Sequence, residues 1–460
     1  MESFQGIGDW WVPGSPKKIS GEVSFSPVEG VTLDLNGKLP VEDEVSQSVS
    51  RQSLSKSYPI LYGDLGRDGP VTIHRATISS ASFGGSESES YSANRMFVGD
   101  HISDSESFVR LNLHVDEIPD WTGDSTIRPI IDKKSIEEST IRPIIDKKSI
   151  EESTIIDDIE AVYASTESKE YTAEFEELQV KFSNSSRISS KINSVEMETV
   201  GVLQIGSGSK LPLRTFFEYG NHALAFLSFA VGTRIYPDKA KLYTDIDEQP
   251  INIYYSILDH GTVRSPSKSE YLFRPADVDF ETALRSWVDN RETAPEVHDN
   301  YSLLLNRSNL PPRLRFLIIV IALEAYYDTE YQSETHIPEE EFNDLKSEIL
   351  QLLPDDNNLQ NQMYGLLENV ANTPSIKSKL TILMESEQNL IEVFFNISDL
   401  ASEARNQRNS VAHGTSAATP KEFYALSKKL QLVLEAILAR RIGVEEDVLL
   451  SMLASRHKIG

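Results

Sequence analysis

The sequence predicts an α+β multidomain protein: a β-rich N-terminal domain, built as a sandwich or partly open barrel, followed by an all-α helical bundle. Three observations carry this reading. Short runs of alternating apolar residues broken by turn dipeptides fill residues 1–272. Helical periodicity with proline at the helix starts fills residues 273–460. A chain of 460 residues, 39% hydrophobic and 25% charged, is long enough to bury two or three sizeable cores.

In the first part, Val23 and Phe25, then Val31, Leu33 and Leu35, alternate around Ser-Pro and Asn36-Gly37, a hairpin-type dipeptide. The clearest strand carries Val109, Leu111, Leu113 and Val115 on one face and Arg110, Asn112 and His114 on the other. Further strands are expected at Phe175–Phe182, Thr199–Ile205 and Ile251–Ile257, with one helix at Phe216–Ala230. Trp10 and Trp11 read as packing residues rather than a ligand platform. Residues 125–138, STIRPIIDKKSIEE, are repeated letter for letter at 139–152. That period is too short for a solenoid, and extra loop length has a small entropic cost, so 122–158 reads as an inserted loop.

In the second part, helices are expected at Asp279–Arg291, Pro295–Asn306, Pro312–Tyr327, Pro338–Leu353, Asn358–Asn372, Ser375–Ser386, Asn389–His413, Pro420–Arg441 and Glu445–Ser455. The segment FLIIVIALEAYY (316–327) is apolar nearly all round and should lie centrally, with Glu324 its only charge.

Composition narrows the function. The absence of cysteine removes disulfides and thiolate metal sites. The start MESFQGIGDWW has no basic and apolar leader pattern, and the longest apolar run, Phe316–Leu323, is far too short for a membrane span. A cytoplasmic protein without membrane contacts is expected. A net charge of −27 opposes nonspecific nucleic-acid binding, so any phosphate chemistry needs a local basic pocket. The same charge also suits simple solvation in a salty cytoplasm. No Walker loop, Rossmann fingerprint or HExxH is present, the GSGS at 206–209 lacks the P-loop lysine, and the histidines suggest no metal site; no cofactor is expected.

The chemistry concentrates in IEVFFNISDLASEARNQRNSVAHG (391–414). At helical spacing Phe394, Ile397, Ala401, Ala404 and Arg408 share a stripe, which sets a guanidinium on a core-facing side where it needs a partner or a task. His413 follows, then Gly414, a natural helix stop. The pattern R-x4–6-H also occurs at Arg67…His74, Arg95…His101 and Arg291…His298, but those stretches contain Asp-Gly-Pro, an internal glycine and Pro295. Only Arg408…His413 lies on a strongly periodic helix. Read alone, such a helix end could equally cap carbonyls and bridge to a neighbouring acid.

The motif Arg408-Asn409-Ser410-Val411-Ala412-His413-Gly414 resembles the hallmark of HEPN domains, R-x4–6-H with a polar residue after the arginine. RFLIIVIALEAYY is similar to the "ALE" helix of the ApeA-like branch, and GDWWVPG…ISGEVSFSPVEGVTLDLNG is similar to the ApeA N-terminal domain. The resemblance covers most of the chain outside the repeat. It implies a metal-independent endoribonuclease of anti-phage abortive infection, acting on RNA (transfer RNA among the candidates) and not on DNA, as a homodimer or higher homo-oligomer. Its N-terminal domain would sense or regulate, with a phage-derived protein as trigger. His413 would serve as general base or acid, Arg408 would hold the phosphate, Asn409 would orient either, and Glu324 would fix Arg408. Arg405, Arg313, Arg315, Lys428 and Lys429 are the further candidates for RNA contact. Two other readings stand beside it: a noncatalytic dimerisation module with a ligand- or protein-binding β domain, and nucleotide binding without hydrolysis.

Overall fold

Alternation at period two closes the first strands into a ring. In the computed structural model β1 (Phe4–Trp11), β2 (Ile19–Ser26), β3 (Gly30–Leu35), β4 (Ser57–Asp64), β5 (Pro70–Ser82) and β6 (Ser88–Ala93) pair antiparallel in the order β1-β2-β3-β6-β5-β4 and back to β1. The inward residues, among them Trp10, Val23, Phe25, Leu33, Leu61, Ile73 and Tyr91, form its core. This is a six-stranded barrel. The structure describes all residues except 41–55, 83–86, 124–126, 130–162, 166–168, 192–193, 246–248, 257–267, 307–309, 332–334, 336, 354–356, 370 and 458–460. Almost all of the repeat at 125–152 therefore lies outside the described residues. The chain divides into two compact units, Met1–Arg285 and Ser286–Gly460.

The barrel is open to further strands at one seam. β7 (Arg95–Val98) continues β6 after a single residue, and both pair with β5 in one register, Ile78↔Tyr91 and Thr77↔Ser92 leading into His74↔Arg95 and Val71↔Val98. On their other side the two part company. β6 pairs with β3, whereas β7 pairs with β15 (Ile251–Tyr255). From that fork the sheet runs on through β14 (Lys239–Tyr243), β8 (Ser107–His114), β13 (Ser194–Pro212) and β12 (Gln179–Lys191) to β11 (Tyr171–Glu174). A separate pair is made by β9 (Ile127–Pro129) and β10 (Tyr163–Ser165). The helices α1 (Glu117–Thr122) and α2 (Leu213–Val231) cover one face, and Trp121 fills the space between with Phe182, Phe226, Phe273 and Phe280.

The hairpin between β2 and β3 turns at Pro27–Glu29, with Gly30 at φ +81°, at the Ser-Pro break that the sequence marks, and Asn36-Gly37 ends β3. One strand expectation needs correction. Residues Phe175–Leu178 form the turn of the β11–β12 hairpin rather than a strand, closed by Phe175 N–H donating to the Leu178 carbonyl at 2.8 Å. Period-two apolar patterns continue across tight turns, so periodicity alone misplaced the start of this strand.

The second unit is all helix: α4 (Pro295–Asn306), α5 (Pro312–Glu330), α6 (Glu339–Gln351), α7 (Asn357–Asn369), α8 (Ile376–Glu385), α9 (Gln388–Ile391), α10 (Ile397–Ala412), α11 (Pro420–Arg441) and α12 (Glu446–His457), with α3 (Phe280–Thr293) spanning the division. α5 packs against α4, α8 and α11, as its nearly continuous apolar surface requires. α11 starts at a capping box in which Thr419 Oγ1 accepts from Glu422 N–H and the Glu422 carboxylate accepts from Thr419 N–H. Its Glu435 is fully buried and accepts from Tyr301, Gln431, Arg456 and His457 at 2.7–3.1 Å. Burial would raise that carboxyl, but the charges of Arg456 and His457 overcome it and hold it well below the ordinary carboxylate range. Among the described residues no helix is long and apolar enough to cross a membrane.

Candidate active site

The single helix expected over Asn389–His413 is broken in two. Asn396 caps α10, its side-chain oxygen accepting from Asp399 N–H at 3.0 Å. Phe394 and Phe395 lie in the link, so Phe394 is not part of the helical stripe. The rest of the stripe holds: Ile397, Leu400, Ala401 and Ala404 are buried, and α10 lies against α8. The C-terminal end is tied by backbone bonds from His413 N–H to Asn409, Gly414 N–H to Val411 and Thr415 N–H to Ser410, with Gly414 at φ +70°. That left-handed turn is the reason for glycine after the histidine.

Arg408 is half-buried, one turn beyond the buried stripe. Its charge acts on Glu324 of α5. Burial pushes the Glu324 carboxyl up, and Arg408 and Lys379 pull it back, while Asp328 adds to the rise. Lys379 of α8 is itself paired with Asp328 at 2.5 Å. Two carboxylates and two cations from α5, α8 and α10 thus share one charged cluster, although no ion pair within 4 Å joins Arg408 to Glu324. Lys379 and Asp328 escaped the sequence reading; the four-residue step from Glu324 to Asp328 on one helix face was the available signal.

His413 lies on the other side. Five residues along a helix turn a side chain by about 140°, so a guanidinium facing inward leaves the imidazole facing outward, and His413 is exposed. Asn409, four residues before it, shares its side of the helix. Neither side chain has a hydrogen-bond partner among the described residues. One chain therefore sets a half-buried guanidinium within electrostatic reach of Glu324, a half-buried amide beside it and an exposed imidazole at the helix end.

The other basic candidates separate clearly. Arg405 and Arg313 are exposed. Arg315 is half-buried, donating through Nη2 to Gln431 at 2.7 Å, and burial lowers its guanidinium. Lys429 pairs with Glu403 of α10 at 3.5 Å, and Lys428 lies 5.9 Å from the Tyr424 ring. In two of the alternative R-x4–6-H stretches the histidine serves the fold: His298 is buried against Trp287 and bonded to Asn290, and His101 is bonded to the Gly63 carbonyl and stacked on Tyr62. Among the described residues no group of three or more histidine or acidic side chains is placed to hold a metal ion.

Comparison with known proteins adds the family. Residues 6–287 match the ApeA N-terminal domain 1, and residues 317–448 match the Apea-like HEPN domain. HEPN domains form a family of ribonucleases in defence systems. No curated protein and no solved structure is significantly similar to the chain. A barrel extended by a side sheet, followed by a bundle whose R-x4-H motif closes a core-facing helix, accounts for both matches, and the chain belongs to the ApeA family, with an ApeA N-terminal domain 1 and an Apea-like HEPN domain.

Proposed function

We propose that this protein is a metal-independent endoribonuclease of anti-phage abortive infection, active as a homodimer, with Arg408, Asn409 and His413 of two copies completing one cavity. The observation that carries the reading is the uncommitted Asn409–His413 face beside an Arg408 already steadied by the charge of Glu324. Arg408 and His413 lie about 140° apart around one helix, and a second copy supplies the opposing groups. Exposed Leu314 and Ile321, seven residues apart on one face of α5, and exposed Tyr424 on α11 offer apolar surface for that contact.

In this mechanism the 2′-oxygen of the substrate attacks the adjacent phosphorus while His413 takes its proton. The bond from phosphorus to the 5′-oxygen breaks, and a second proton donor, the partner's imidazole, protonates the leaving oxygen. The products are a 2′,3′-cyclic phosphate and a 5′-hydroxyl. Arg408, always charged and planar, stabilises the charge that develops on the phosphorane oxygens. Asn409 orients the imidazole or the phosphate, and exposed Arg405 and Arg313 with Lys428 steer the RNA. DNA lacks the attacking hydroxyl and resists. The N-terminal domain restrains the bundle until a phage-derived protein engages it.

The test is expression with sequencing of RNA ends after brief induction. Growth arrest and new 2′,3′-cyclic termini, both absent in His413→Ala, are the expected result. Equal toxicity of Arg408→Ala and His413→Ala would remove the site. The competing reading, a noncatalytic dimerisation module, predicts a purified dimer that leaves all RNA intact.

A further inference from the structure

In a chain with a net charge of −27, three arginines gather in the N-terminal unit, none of them ion-paired among the described residues. Arg95 of β7 is half-buried. It faces His74 of β5 on one side and Tyr255 of β15 on the other as direct cross-strand neighbours, which puts the three side chains on one face. Its guanidinium lies 4.2 Å from the centre of the Phe217 ring of α2, which also meets Tyr255 edge-on. Arg234 and Arg95 both act electrostatically on Tyr255, and Arg75 acts on both Arg95 and His74.

Among the described residues none of the three arginines forms an ion pair, and the Nε atoms of Arg95 and Arg234 are buried with no hydrogen-bond partner. The nearby carboxylate, Asp104, acts on His74. Burial lowers the Arg95 guanidinium, and its repulsion from Arg75 works in the same direction. Unpaired buried donors and mutual repulsion both destabilise the ligand-free fold. Backbone strain falls at the same place: Arg75, at φ +55°, is the one non-glycine residue with positive φ among those described. Strain and unpaired charge at one spot are what a binding site retains for its ligand.

We propose that Arg95, Arg234 and Arg75, together with the Tyr255 hydroxyl, bind a small phosphorylated molecule, such as a nucleotide or pyrophosphate, at the fork where the side sheet leaves the barrel. The charge selects the ligand class. Three guanidiniums and a phenol offer more donors and more positive charge than a single carboxylate can match, whereas a multiply charged phosphoryl group accepts from all of them. The site lies within Met1–Arg285 and is independent of the nuclease motif.

The experiment is titration calorimetry with a parallel thermal-shift series on the full chain, using inorganic phosphate, pyrophosphate and a nucleoside triphosphate against sodium chloride of equal ionic strength. Saturable one-to-one binding of at least one probe is expected, with a melting midpoint that climbs with its concentration. A triphosphate that binds more tightly than pyrophosphate identifies a nucleotide as the ligand. Arg95→Met and Arg234→Met should each weaken binding about tenfold or more, and Tyr255→Phe less. The ligand-free midpoint of Arg95→Met should equal or exceed that of the parent, because an unpaired buried charge has gone. Absence of saturable binding by all three probes, binding untouched by the arginine variants, or binding of an RNA oligonucleotide alone would overturn the proposal.

Discussion

The carboxylate of Glu435 and the guanidinium of Arg456 meet at 3.1 Å with 0% and 6% of their side chains exposed. The pair joins the last helix, α12, to the middle of α11, and Tyr301 and His457 complete its hydrogen bonding. Breaking a buried pair strands the other charge, at a cost of about 3–5 kcal/mol. Glu435→Leu should therefore lower stability by that order, whereas Glu435→Leu combined with Arg456→Met should recover a large part of it. Denaturant unfolding of the two variants checks this.

Activity should depend on the motif and not on metal. Arg408→Lys keeps a charge but loses the planar fork and should retain about a tenth or less of the cleavage rate. Chelation with EDTA should leave the rate unchanged. A single-turnover RNA cleavage assay reads both, and a rate abolished by EDTA would contradict the mechanism.

Glu324 should act by position. Burial already disfavours its charged form, so Glu324→Gln should keep or raise the thermal midpoint. Cleavage should nevertheless slow by about tenfold, because Arg408 loses the charge that steadies it. Calorimetric melting and cleavage rates on the same preparation separate the two effects.

The N-terminal unit should lose stability as pH rises. Burial, with Asp238, Asp116 and Asp120 close by, pushes the Glu117 carboxyl up to about 7. Between the ordinary carboxylate range and that value the folded state binds the proton that the unfolded chain has released. Stability therefore falls through this window as pH climbs and levels off above it. Glu117→Gln should flatten that slope and stabilise the protein by roughly 1–3 kcal/mol above neutrality. Melting curves across pH for both proteins decide it.

The helical half was largely legible in the sequence because proline, threonine and asparagine mark helix starts through local chemistry. Pro295–Asn306 and Pro420–Arg441 coincide with α4 and α11 residue for residue. The break at Asn396 escaped because Phe394 and Phe395 extend the apolar rhythm over the cap. In the β half, alternation identified strands but not partners. Barrel closure depends on β6 returning to β5 and β3, which no local pattern encodes. The arginine cluster was equally invisible: Arg75, Arg95 and Arg234 come together only through strand pairing and the packing of α2.

The shared register of β6 and β7 along β5 has a mechanical consequence. Because β5 pairs with β6 before residue 94 and with β7 after it, one strand belongs to both the closed ring and the open sheet, and the two are coupled through it. Amide protons of β6 and β7 that face β5 should therefore exchange together, at the rate of the whole N-terminal unit.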